Sequence, residues 1–424
     1  MGRLRFVLFI ALAAIFAACS DGFEDYSYSP GDVLTFSTDT VAFDTVVSTV
    51  RTPFAAFTIY NPSKKDLLIS SITLENGDNF KINVDGRAGN SFSDIEILSK
   101  DSLYILVEAQ PSENQSDIPA EIIDHIVFVT NGVKQSVVLQ AVAQDAEIRD
   151  AIFVTVDSTL NRIKPYLIYD SLVVQAGATL TIPAGARLYM HANANIIVHG
   201  TLIVSGTAEN PVIIRGDRFD QMVGIPYDRI PGQWGGIQFD ADSYDNVIEH
   251  ARIRNGSTGL FFAPSDPAFL KLSMHNTVVT NFKGMLTSAN DCRIFFEQCE
   301  LSNAKDGLVS LNGGYYSFIH CTLANYYFNG KAEYGWGNTK DATVFLSEDT
   351  QAEFNYSIIW GANGNSTSQM DNATIIHCMT EEDPKFRIIQ SEDKNKAEFI
   401  YDFRLQDDSP ALLPDGGYMG CYPQ

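Results

Sequence analysis

The chain of 424 residues is 45% hydrophobic and carries 52 acidic against 29 basic side chains, a formal net charge of −23. That balance argues against the basic stripe a nucleic-acid partner requires, so no nucleic acid is expected. Thirty glycines, many alternating apolar runs and no long helical period point to an all-β protein, and the length exceeds what one core usually fills, so two domains are expected.

Residues 1–19 read as an address rather than as fold. Arg3 and Arg5 precede an apolar run of 13 residues, Phe6 to Ala18, too short to span a membrane but suited to the core of a signal peptide. The run ends in Phe16-Ala17-Ala18-Cys19, which resembles the lipobox of bacterial lipoproteins, although Phe16 departs from the usual leucine-like residue. The resemblance implies cleavage before Cys19 and its lipidation, hence an outer-membrane lipid anchor. Residues 20–33 form an acidic tether. Asp21, Glu24 and Asp25 within it resemble the surface-export signal of some Gram-negative lineages, implying a chain that faces the cell exterior; a periplasm-facing lipoprotein is the alternative.

Residues 34–146 hold short alternating runs beginning at Phe54, Leu67, Phe80, Ser102, His125 and Ser136, with turn clusters at Asn61-Pro62-Ser63 and Asn76-Gly77-Asp78. Six or seven strands in so short a stretch predict an antiparallel, immunoglobulin-like sandwich. The order Thr58-Ile59-Tyr60-Asn61-Pro62-Ser63, Leu68 to Ile72, Phe80-Lys81-Ile82 and Asp101-Ser102-Leu103 resembles the sperm-protein-like immunoglobulin domains of bacterial surface proteins, which implies a spacer or docking module.

From 150 to 424 the pattern changes to a repeat of about 22 residues. Segments starting at Ile248, Met274, Phe296 and Phe318 align so that their fourth positions read Ala251, Thr277, Cys299 and Cys321. Their sixth positions are Ile253, Val279, Leu301 and Leu323, and their eighth Asn255, Asn281, Asn303 and Asn325; the register returns with Ser357, Ile359 and Cys378. A strand-and-turn period of this length with no helix between predicts a parallel β-helix, its small and aliphatic columns stacked inside and its asparagines at turns. The run Ile182-Pro183-Ala184-Gly185-Ala186-Arg187-Leu188, the stretch Ile196 to Ile214, and Gly232-Gln233-Trp234-Gly235-Gly236-Ile237 resemble the opening coils of right-handed parallel β-helix proteins of the pectin-lyase type. Asp402 to Tyr422 resembles the terminal segment of surface members of that superfamily. The resemblance implies the fold and says little about activity.

Hydrolases of that superfamily cluster aspartates with a histidine and a basic residue, and lyases bind calcium through aspartates. Asp217, Asp220, Asp240, Asp242, Asp245, Glu249 and His250 are the carboxylates and imidazole to weigh, and Asp240-Ala241-Asp242-Ser243-Tyr244-Asp245 could ligate calcium. No complete motif of either class is present, so no catalytic residue, metal or cofactor is assigned. His320 and His377 should point outward, too far apart for a metal. Cys299 and Cys321 should pack as buried thiols, and the five cysteines other than Cys19 leave at least one unpaired.

Two insertions break the period. One, from Gly216 to Gly235, holds Trp234; the other, after Asn325, holds Tyr326, Tyr327, Tyr334 and Trp336. Loops leaving a rigid scaffold commonly carry binding residues, so these five rings are the candidate contacts for a polysaccharide or surface-protein ligand. The expected function is a non-catalytic surface lipoprotein displaying a β-helix; the alternative is a lipid-anchored polysaccharide lyase or glycoside hydrolase.

Overall fold

The computed structural model describes residues 25–116, 118–222, 225–327, 343–365, 370–389 and 401–423. The chain divides at Gln144/Asp145 into two compact units.

The first unit is an antiparallel sandwich of two five-stranded sheets, one centred on Ala55–Tyr60, Ser102–Ala109 and Phe80–Val84, the other on Val133–Gln144, Ala120–Thr130 and Leu67–Leu74. Thr40–Val47 joins the second sheet by pairing parallel to Val133–Gln144, the one non-antiparallel pair among its described strands. Alternation decides which face is buried: Leu67, Ile69, Ile72 and Leu74 of one strand meet Phe80, Ile82 and Val84 in a single core. Thr40–Val47 and Ser91–Ile97 were not among the expected strands; each mixes polar residues into its run.

The second unit is a parallel β-helix. Successive stretches of chain visit three sheets in turn. The first sheet stacks Glu147–Arg149, Tyr166–Ile168, Arg187–Met190, Val212–Gly216, Ala251–Arg254, Val278–Phe282, Glu300–Ala304, Thr322–Asn325 and Ile358–Asn365. Among the described residues the second runs from Ile152–Val154 to Val344–Leu346 in eight strands, and the third from Ser158–Thr159 to Thr374–Ile376 in nine. The expected register holds: Ile253 pairs with Val279, Val279 with Leu301, Leu301 with Leu323 and Leu323 with Ile359, and all five are fully buried. On the inner side of the third sheet Phe296, Phe318 and Phe354 stack with centroids 4.8 and 4.6 Å apart, the spacing of the strands that carry them. Burying one such ring contributes about 1.5–3 kcal/mol.

The small column has a second role beyond its size. The residue before it turns the chain from the third sheet into the first, and it is left-handed in every coil concerned: His250, Asn276, Gln298, His320, Tyr356 and His377 all have φ between 46° and 51°. Side chains rarely adopt this conformation, so something must hold it. Thr277 Oγ1 donates to the His275 carbonyl at 2.8 Å and accepts the Ala251 amide at 3.2 Å. Ser357 Oγ does the same for Asn355 and Cys321, at 3.1 and 3.0 Å. Cys299 and Cys321 give their thiols to the carbonyls two residues back at 3.3 and 3.4 Å. All five described cysteines are free thiols. Each of these hydroxyl and thiol side chains therefore ties its own turn, and Thr277 and Ser357 also tie the preceding coil.

The asparagines sit at the far end of the same strands. Asn255, Asn281 and Asn303 are left-handed, as a turn position requires, whereas Asn325 is not among the positive-φ residues. Asn325 earns its place through hydrogen bonds instead: its Nδ2 donates to the Ala304 carbonyl at 2.9 Å and its Oδ1 accepts the Ala304 amide at 3.2 Å.

Candidate functional site

Three outer faces are available to a ligand. Along the second sheet the outward column runs Phe153, Val173, Ile197, Gln238, Phe261, Ser288, Ser310 and Phe345, with no ionisable side chain. At the end of two of its strands His199 and Asp240 pair at 2.5 Å.

The first sheet differs. Its outward columns carry Arg252, Val278 and Glu300 in one register and Arg254, Thr280 and Ser302 in the next. Over these three strands lies a groove of about 790 Å³. One wall is the insertion between Gly216 and Gly235, which contributes Asp228 and Arg229; the other is the C-terminal segment, with Tyr401, Asp402, Arg404 and Tyr422.

Both walls are anchored. Arg215 and Arg254 bring guanidinium nitrogens to 2.7 and 2.8 Å from Asp228 Oδ1, close enough to pair by charge though not aligned as hydrogen bonds. Arg215 lies over the Phe219 ring and Arg218 over Tyr227, 4.5 and 4.0 Å from the centroids. Asn255 Nδ2 donates to the carbonyls of Asp228 and Ile230 at 2.8 and 3.1 Å. The opposite wall rests on an apolar cluster in which Phe386, Phe403, Leu405 and Ala411 cover Ala324 and Ile358.

The groove is lined by four arginines, Arg229, Arg252, Arg254 and Arg404, and by three carboxyl groups, Asp228, Glu300 and Asp402. The carboxyl groups are unlike one another. Asp228 is shared between two arginines, and Asp402 is bonded by Arg404, whose guanidinium holds it below the usual carboxylate range. Glu300 is buried, which pushes its pKa up; Ser302 Oγ donates to it at 2.5 Å and the Tyr422 hydroxyl donates to its other oxygen. The four arginines outnumber the three carboxyl groups, and Arg252 forms no ion pair among the described residues.

Of the five candidate rings, the three that are described are buried. Trp234 is 1% exposed: its ring packs against Phe282 and its Nε1 donates to the Arg254 carbonyl at 2.8 Å. Tyr326 and Tyr327 are 3% and 4% exposed. Tyr326 carries the C-terminal wall, its ring against Phe403 and its carbonyl accepting the Tyr401 hydroxyl at 2.9 Å. Tyr327 lines the groove. Trp234 and Tyr326 pack against Phe282 and Phe403. Tyr334 and Trp336 lie outside the described residues, as does Cys19.

The weighed carboxylates are dispersed. Asp217 binds His191 at 2.6 Å, Asp220 binds Arg218, and Asp240 binds His199 at 2.5 Å. In the loop considered for calcium a lysine takes the cation's place: Lys271 Nζ donates to the carbonyls of Asp240 and Ala241 at 2.6 and 3.4 Å. Among the described residues no three histidine, cysteine or acidic side chains converge on a metal position. His320 and His377 do stand outside the coil, separated by Tyr356, which stacks on both. The floor of the groove was missed in the sequence. Its signal was an outward-facing charged pair, Arg252 and Arg254, inside a repeat read for its inward positions.

No curated protein matches the chain. Two solved structures show slight likeness and lend no function: the seventh PapD-like domain of human CEP192, at TM-score 0.20 and 9% identity over 28% of this chain and 91% of that one, and a family 123 glycoside hydrolase from Clostridium perfringens, at 0.19 and 10% over 27% and 26%. Residues 152–253, the early coils of the β-helix, match the family model of the pectate-lyase-like β-helix domain.

Proposed function

We propose that the chain is a surface lipoprotein, held in the outer membrane by lipid on Cys19, whose β-helix binds an acidic glycan without cleaving it. The observation that carries the binding reading is the groove on the first sheet: an arginine-rich floor between two anchored walls, in a chain whose formal charge is −23. Uronate carboxylates are matched by guanidinium forks, whose local attraction must outweigh the repulsion of the net-acidic chain. Arg254 Nε is buried with no hydrogen-bond partner, a donor a ligand oxygen would satisfy. The absence of cleavage is supported by Asp228 and Asp402 being held by arginines, which leaves neither as a free base.

A second reading, a lipid-anchored hydrolase or lyase, has one observation in its favour. Glu300 and Asp402 line the same groove with their pKa values shifted in opposite directions, the pattern of an acid and a base.

Titration of the full chain with hexagalacturonate, alongside reducing-sugar and unsaturated-product assays, separates the readings. Binding without product supports the proposal; product that vanishes in Glu300→Gln supports the enzyme. Anchoring is tested separately: Cys19→Ala should move the protein from membrane to soluble fraction and abolish fatty-acid labelling, and unchanged partitioning would sink that part.

A further inference from the structure

The outer face of the third sheet holds a cleft of about 1000 Å³ that the acidic-glycan reading does not use. Its floor is two outward columns. Arg293, Tyr315 and Gln351 lie in one register, and Phe295, Ser317 and Glu353 in the next. Tyr315 is 47% exposed, a large ring face turned to solvent, and Phe295 stands diagonal to it on the preceding strand. Cross-strand neighbours on one face lie near enough to form a continuous platform.

The sides of this floor are fixed. The loop 263–270 is tied by the Ser265 amide to the Asp291 carbonyl at 3.0 Å and by the Asp266 amide to the Tyr244 hydroxyl at 3.1 Å. Across the cleft Asn372 Nδ2 donates to the carbonyls of Ser347 and Thr350 at 2.8 and 2.9 Å. A ligand meets a preformed surface and need not order it.

The chemistry of the lining selects the ligand. Arg293 and Glu353 form no ion pair among the described residues, so each offers its full hydrogen-bonding capacity. Together with Gln351 they supply a fork of donors, a pair of acceptors and an amide, groups suited to vicinal hydroxyls. The rings supply an apolar face for the C–H side of a pyranose. Asp266 and Glu353 against the single Arg293 leave the lining slightly negative, which disfavours an anionic ligand, unlike in the groove of the first sheet. The floor advances about 4.8 Å per strand along the rod, which favours an extended chain over a compact molecule.

We propose that this cleft is a second saccharide site, for an uncharged pyranose chain lying along the axis of the β-helix. The test is isothermal titration of the full chain with cello-, xylo-, manno-, laminari- and chitohexaose, with hexagalacturonate as the charged comparator. At least one uncharged hexaose should bind. Tyr315→Ala and Gln351→Ala should each weaken that binding about tenfold or more, with the melting temperature and hexagalacturonate binding unchanged. The proposal is overturned if no uncharged hexaose binds, or if both variants bind it as the wild type does. Gln351 is exposed, so its variant carries the test should Tyr315→Ala fold poorly.

Discussion

The groove of the first sheet and the cleft of the third stand on outward columns of neighbouring coils, yet they dispose of charge in opposite ways. In the groove every carboxyl group is engaged, Asp228 with two arginines, Asp402 with Arg404, and Glu300 buried under Tyr422. In the cleft Arg293 and Glu353 stand unpaired beside an exposed ring. The difference follows from what covers each face. Two chain segments fold over the first sheet, removing water and forcing its charges to find partners. The third sheet is flanked rather than covered, so water satisfies what the protein does not. A covered face yields a site of fixed polarity, and an open face yields an adaptable one.

The sharpest way to break this comparison is to collapse one wall. Trp234 is fully buried behind the groove and its indole holds the Arg254 carbonyl. Trp234→Ala should cost about 3–5 kcal/mol, read by denaturant unfolding, and abolish hexagalacturonate binding. Binding of the uncharged hexaose should survive under native conditions. If both ligands are lost together while the fold persists, the two faces are one site.

A change at the corner the two faces share should behave differently. Cys321 is fully buried in the small column, directly where the third sheet turns into the first. Cys321→Tyr overpacks that column and should cost about 1–3 kcal/mol. Both affinities should then fall in proportion, because the columns under both sites are displaced. Burial also raises the thiol pKa well above its ordinary value, so native Cys321 should react far more slowly with a bulky thiol reagent than a free thiol does. Equal rates would place the residue outside the coil and undo the register.

Much of this architecture could be read in the sequence, because period and alternation are properties of single residues. The column Ala251, Thr277, Cys299, Cys321 and the ladder Ile253 to Ile359 needed only a 22-residue alignment. The reason the column holds hydroxyls and thiols did not emerge, since it depends on left-handed turns at His250, Asn276 and their equivalents. The site was less legible for a related reason. Aromatic residues in an insertion look alike whether they greet a ligand or cover a sheet, and Trp234 and Tyr326 turned out to cover. Arg252 and Glu300 lie 48 residues apart, and only the stacking of coils puts both on one floor.

A smaller perturbation asks whether the groove's charge, rather than its shape, selects the ligand. Arg252 is exposed and unpaired among the described residues, so its removal should leave stability within about 0.5 kcal/mol. Arg252→Ala should weaken hexagalacturonate binding about tenfold and leave the uncharged hexaose untouched. Equal loss of both ligands would mean that the groove reads shape.

The mildest test is pH. Glu300 is the groove's one carboxyl group pushed upward by burial, and Ser302, Tyr422, Asp402 and Arg252 are the groups that face it. A carboxyl whose folded pKa lies above its unfolded value binds its proton more tightly in the native state. Its contribution to stability is full below the ordinary value of about 4.5 and is lost as pH rises through the raised folded value. Over that window the groove also gains a negative charge, so acidic-glycan affinity should decline with rising pH while uncharged-hexaose affinity stays level. Glu300→Gln keeps an acceptor for the Tyr422 hydroxyl and removes the titration. The variant should therefore melt at a temperature less sensitive to pH than the wild type and hold hexagalacturonate affinity nearly constant. His250 also lines the groove, so the comparison belongs in a His250→Gln background. A decline that persists in the Glu300→Gln, His250→Gln double variant would show that the groove does not owe its polarity to the buried carboxyl.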